Sequence, residues 1–80
     1  MKAHVWVMPK ATVLDPQGQA IQHALASLGH AAVTEVRQGK FFVLELDGAS
    51  REEAQRRVEA IARDVLANTV IEDFRFEILD

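Results

Sequence analysis

Between Leu66 and Asp73 the chain changes period. Before this octet, apolar side chains recur at the spacing of one helix face. After it they alternate, with Phe74, Phe76 and Ile78 to one side and Asp73, Arg75 and Glu77 to the other. One element cannot carry both periods. The octet Leu66-Ala67-Asn68-Thr69-Val70-Ile71-Glu72-Asp73 therefore predicts a tight hinge that folds a last strand, Ile71 to Leu79, back against what precedes it. Asn68 is expected to end the helix in the left-handed conformation. Val70 and Ile71 supply the β-branched chains that suit a pleated surface.

Ala3 to Met8 also alternate and stop at Pro9, the pattern of a strand. Val5 and Val7 take one face, and His4, Trp6 and Met8 the other. A solvent-facing strand seldom presents Trp and Met. Either the sheet is covered on both sides or this face meets another chain.

Asp15 is a good N-cap and Pro16 suits the first helical position. Ile21, Ala24, Leu25 and Leu28 follow at helical spacing, and Gly29 is a natural stop. From Pro16 to Thr34 there is no Lys, Arg, Asp or Glu. A helix whose outer face (Gln19, Gln22, His23, Ser27) is uncharged suits a protein interface better than open solvent.

Val33 to Leu46 is the longest β-like stretch, interrupted at Gly39. A hairpin at Gln38-Gly39 and one long strand bent at Gly39 are both open. The bent strand is preferred, because Gln is a poor first residue for a two-residue turn. Phe42, Leu44 and Leu46 share a face, while Phe41 and Val43 share the other, so both faces are apolar here too.

Ser50 and Glu53 form a capping box for a second helix. Its inner stripe is Ala54, Val58, Ile61, Ala62 and Val65. Its outer face carries the pairs Glu52–Arg56, Glu53–Arg57 and Glu59–Arg63, the marks of a solvated face. The fold expected is α+β: one domain over residues 1–80, a two-layer β-α-β-α-β sandwich with both helices on one face of a small, largely antiparallel sheet. A long bent central strand and cover by self-association complete it.

Eighty residues, 49% of them hydrophobic, give a thin core, and the absence of cysteine removes disulfide support. Oligomerisation is the remaining common remedy. A net charge of −3 argues against a nucleic-acid surface. The N-terminal sequence shows no signal-peptide pattern, and no run approaches the ~18 apolar residues of a membrane span. A cytoplasmic location is expected.

No catalytic constellation emerges. His4, His23 and His30 fall on three different elements without carboxylates at ligand spacing, and no glycine-rich phosphate loop is present. Arg37-Gln38-Gly39-Lys40 is the one compact cationic spot. It offers either a carboxylate or phosphate site or, more readily, a contact between subunits.

Three blocks nevertheless carry a resemblance. Leu14-Asp15-Pro16-Gln17-Gly18, Val36-Arg37-Gln38-Gly39-Lys40 and Leu66 to Asp73 followed by Phe74-Arg75-Phe76 resemble, in order and spacing, the PurS family. These are the small subunits of phosphoribosylformylglycinamidine synthase. Gln38 stands where the family pattern has an aliphatic residue.

The resemblance implies a non-catalytic subunit of a complex in purine biosynthesis. That complex makes formylglycinamidine ribonucleotide with ATP and with ammonia from glutamine. It implies self-association, at least to a dimer, and bridging of a PurL-type synthetase and a PurQ-type glutaminase. No cofactor or metal is expected in this chain; ATP and magnesium belong to the large subunit. The interface residues it implies, together with the faces identified above, are Trp6, Asp15, Pro16, Gln17, Ile21, Arg37, Gly39, Lys40, Asn68, Val70, Ile71 and Asp73. The alternatives are a dimeric α/β domain that senses a small molecule and, more remotely, a small isomerase using Asp15 and Arg37.

Overall fold

Strand β1 (Lys2–Pro9) runs through the middle of the sheet, and its alternation decides both layers. The computed structural model describes residues 1–48 and 50–80. After β1 come α1 (Pro16–Ser27), β2 (Lys40–Glu45), α2 (Arg51–Ile61) with a π-helical turn at Ala62–Leu66, and β3 (Glu72–Leu79). The sheet order is β2-β1-β3, and both pairings are antiparallel. Val5 stands opposite Phe42 on one side and Phe76 on the other.

Ala3, Val5 and Val7 are fully buried against Ala54, Val58 and Ala62 of α2. Phe42, Leu44, Leu46, Leu66, Phe74 and Phe76 pack around them, partly buried. The β-α-β-α-β order and the antiparallel sheet thus form as the sequence predicts, and the last strand forms over Glu72–Leu79, one residue later than the predicted start at Ile71.

Several expectations change. The central strand is β1, not the Val33–Leu46 stretch, of which only six residues join the sheet, at its edge. The ladder with β1 ends at the pair Val7–Lys40, two residues before the end of a β1 that closes on Pro9. Residues 34–39 therefore run on outside the sheet. No hairpin forms at Gly39; only Gly29 (φ 94°) and Gly48 (φ 65°) have positive φ among the described residues.

Among the described residues, only α2 covers the sheet. α1, expected beside it on the same face, makes no more than marginal contact with any other element, and Gly18 is its only buried residue. α2 is seated on the core through Ala54, Val58 and Ala62 of its expected inner stripe, with its charged face outward, while the uncharged helix is bare. The chain is correspondingly long, 50 × 26 × 14 Å.

The end of α2 also departs from a regular helix. Ala67 N–H bonds the Ala62 carbonyl at 2.8 Å, an i→i−5 bond. The extra residue in this turn swings Leu66 inward and leaves Val65, expected in the core stripe, 75% exposed. Asn68 does not adopt the left-handed conformation, since no described residue other than glycine does. Instead its side-chain oxygen accepts from Val70 N–H at 3.2 Å, an Asx turn, and its carbonyl accepts from Ile71 and Glu72.

Ser50 caps α2 through Glu53 N–H at 3.2 Å. The Glu53 carboxylate turns to Arg57 at 3.2 Å rather than back to the cap. Of the three helix-surface pairs expected, that one is formed; Arg63 pairs with Asp64 at 3.4 Å instead.

Candidate interaction surface

The three sequence blocks meet at one end of the sheet, where the segments after Pro9, before Lys40 and before Glu72 come together. Asp15 is the centre of this junction. Its Oδ1 accepts from Gly18 N–H at 3.0 Å, capping α1, and its Oδ2 accepts from Gln38 N–H at 2.7 Å. One carboxylate thus ties the start of α1 to the segment leading into β2. Gly18 sits against the Val36 carbonyl so closely that no Cβ would fit. The Gln17 and Gln38 side chains are bonded to each other. Polar Gln38 therefore has a partner on the surface.

Arg37 locks the same junction from the other side. Its Nη2 donates to the carbonyls of Lys10 (2.7 Å) and Val13 (3.0 Å), and its Nη1 lies 3.6 Å from Glu35. Lys40 pairs with Glu72 at 3.4 Å, and Lys10 with Asp73 at 2.8 Å. Gly39 lies against Val7 and Met8, again with no room for a side chain. The cationic spot around Gly39 is therefore already engaged within the chain, and the anion-site reading loses its two cations.

The Asp15 carboxyl is held below the usual carboxylate range, chiefly by the Gln38 N–H and then by the Gly18 N–H; desolvation opposes them, and Arg37 adds to them. A depressed folded-state value stabilises the fold above the unfolded value near 3.9, and the gain is lost as pH falls through the folded value. Thermal melts from pH 7 to pH 3 are expected to show a drop below about pH 4 that Asp15→Asn reduces. The variant is also expected to melt lower at pH 7, because the amide nitrogen that replaces one carboxylate oxygen cannot accept an N–H, leaving one of the two bonds unmade.

Of the twelve predicted interface residues, Asp15, Gln17, Arg37, Gly39, Lys40, Asn68 and Asp73 hold the junction together. Pro16 opens α1 and is exposed. The other four present apolar surface. Ile21 lies on bare α1, and Val70 (80% exposed) and Ile71 stand out on the hinge.

Trp6 lies on the sheet face opposite α2, with the Arg75 guanidinium 3.9 Å above its ring and Phe41 and His4 at its edges. This second face is uncovered. Phe41 (53%) and Val43 (52%) are exposed there, with Met8 beside them. Their apolar character is visible in the alternation, but edge exposure follows from the strand order, which the alternation does not give. Leu28 is a further exposed residue, predicted for a helix stripe that has nothing to cover.

Comparison with known proteins gives this surface a context. The family model described as "PurS: Phosphoribosylformylglycinamidine (FGAM) synthase" matches residues 2–80. The chain belongs to the PurS family. The PurS subunit of Mycobacterium leprae is 51% identical over 73 residues, 91% of this chain and 89% of the relative. That of Bacillus subtilis is 44% identical over 77 residues, covering 96% and 90%. The solved B. subtilis PurS superposes with a TM-score of 0.89 at 43% identity, over 99% of this chain and 98% of that one. A chain of the structure described as PurLQS from Thermotoga maritima superposes with a TM-score of 0.87 at 28% identity, covering 98% and 95%. PurS membership does not favour the small-molecule sensor considered from sequence.

Proposed function

We infer that this chain is the PurS subunit of phosphoribosylformylglycinamidine synthase, the ligase that makes formylglycinamidine ribonucleotide in purine biosynthesis. The observation that carries this is the family match from residue 2 to residue 80, with the T. maritima PurLQS chain as a structural relative. Its partners are a PurL-type synthetase and a PurQ-type glutaminase.

The chain supplies surface rather than reacting groups. Asp15 and Arg37, the polar pair that an isomerase would need, are both consumed in holding the junction. ATP and magnesium are handled by the synthetase. By binding both enzymes, the subunit keeps the ammonia source and its acceptor in register, so that transfer becomes effectively intramolecular. The uncovered sheet face around Trp6, Met8, Phe41 and Val43 contacts one of these partners; its aromatic, Met and Arg content is that of an interface core. The chain works in the cytoplasm, and no helix among the described residues is long and apolar enough to cross a membrane.

Size-exclusion chromatography of this chain with the two enzymes tests the assignment. Co-elution is expected, and a chain that migrates alone under every nucleotide and glutamine condition contradicts it. Arg56→Ala combined with Arg57→Ala alters the solvated side of α2 and is expected to change co-elution less than about twofold, since surface ion pairs contribute little.

A further inference from the structure

Strand β3 is an edge strand of eight residues with none of the devices that usually blunt such an edge. It holds no Pro or Lys, and its pairing with β1 runs without a bulge from Glu72 to Leu79. Two bonds show which way its backbone faces. Lys10 N–H donates to the Ile71 carbonyl at 2.8 Å. Residues in step with 71 therefore turn their amides and carbonyls towards β1, and Phe74, Phe76 and Ile78 turn theirs outward. Arg51 agrees, since its Nη2 donates to the Ile78 carbonyl at 3.1 Å from outside the sheet. The chain closes this outer row only at its ends, where Asn68 C=O accepts from Glu72 N–H at 2.7 Å and Arg51 holds Ile78 C=O. Between them, among the described residues, the amides and carbonyls of Phe74 and Phe76 and the amide of Ile78 meet no group.

Beside this row lies a cleft of about 420 Å³ between the start of α2 and the end of β3, walled by Arg51 and Gln55 on one side and by residues 76–79 on the other. A helix alongside an open strand edge is an arrangement that holds an extended segment by its backbone and takes its side chains into the groove. Only another extended backbone matches a row of alternating amides and carbonyls. The Arg51 guanidinium, with five N–H donors, has capacity beyond the Ile78 carbonyl. Its other partner is the exposed Asp80 carboxylate at 3.2 Å, which shows the chemistry it accepts.

We propose that the open edge of β3 takes up a strand from one of the two enzymes, about five residues long. Its apolar side chains lie against Phe76 and Ile78, and a carboxylate on it takes the place of Asp80 at Arg51. This rests on the PurS reading for the existence of two enzymes to bridge, and adds where one of them binds. A chain that bridges two enzymes needs two separate surfaces, and the uncovered sheet face around Trp6 serves one of them. The cleft opens on the α2 side, to which Phe76 and Ile78 point, so it stays free while the face around Trp6 and Arg75 is occupied. The strand therefore comes from the other enzyme.

Amide hydrogen exchange and pairwise titration of the full chain with each enzyme test this, with circular dichroism as the folding control. One enzyme is expected to slow exchange at Phe74, Phe76 and Ile78 by roughly a hundredfold, while Asp73, Arg75 and Glu77, which face β1, change little. Arg51→Glu is expected to weaken binding of that enzyme at least about tenfold, and Arg51→Lys to retain most of the affinity. The enzyme that protects the edge is the one that Trp6→Asp affects less. Binding of both enzymes with Phe74, Phe76 and Ile78 still exchanging fast overturns the strand addition and leaves the PurS assignment standing. Protection of these amides in the isolated chain, rising with its concentration, puts a second copy on the edge and also overturns it. A chain that binds neither enzyme overturns the assignment and the strand addition together.

Discussion

Gly18→Val is expected to be the most damaging single change outside the buried core. Any Cβ at position 18 meets the Val36 carbonyl and comes within 2.8 Å of Asp15 Oδ2. Neither obstacle is a flexible side-chain end with somewhere to go. The first is backbone, and the second is the carboxylate oxygen that receives Gln38 N–H at 2.7 Å. Relieving the clash pulls α1 away from residues 36–38 and breaks the cap or the bridge. Overpacking of this kind costs about 3 kcal/mol, roughly 15 °C of Tm for a chain this small. Ala20→Val, two positions along on the exposed side of α1, controls for helix propensity and should cost well under about 1 kcal/mol. Equal losses at the two positions would mean that the close approach at Gly18 holds nothing together.

The second large effect is expected at Trp6, and in binding rather than stability. Trp6 is half-buried at the centre of the face that α2 does not cover, flanked by Phe41 and stacked under Arg75. Trp6→Asp keeps the buried side of β1 (Ala3, Val5, Val7) untouched and places a carboxylate opposite Arg75, so the fold persists. Burying that carboxylate against a partner is costly, and truncating a central Trp typically removes at least about 2 kcal/mol of binding. Association with the synthetase and glutaminase subunits is expected to weaken by at least about thirtyfold, measured by titration calorimetry or co-elution. Trp6→Phe should retain most of the affinity. Unchanged association of Trp6→Asp would remove this face from the partner surface.

Local features of the structure were legible where a local cause determines them. Asp15, Pro16 and Ser50 start their helices, Gly29 stops one, and β3 follows its two-residue alternation, because each depends on neighbours within a few residues. The misses have longer-range causes. The π turn at Ala62–Leu66 comes from how α2 meets the hinge, and a regular helical period placed Val65 in the core instead of Leu66. Asn68 was expected to solve a helix end by its backbone, but it does so with its side chain, an alternative the same residue type offers. The bond from Asp15 to Gln38 joins residues 23 apart, and no spacing rule foresees it. The role of Asp15, Arg37 and Lys40 as a junction rather than open contacts was hidden for the same reason. An apolar stripe on α1 announced that something covers it, without saying that nothing in its own chain does.

Coupling of a glutaminase to a synthetase is the role proposed for this chain. The most direct measurement is glutamine-dependent formation of formylglycinamidine ribonucleotide by the two enzymes, with and without this chain, alongside ammonia-dependent synthesis by the large subunit alone. Glutamine-dependent turnover is expected to require the chain, while ammonia-dependent turnover proceeds without it. Equal glutamine-dependent rates in its presence and absence would contradict the account.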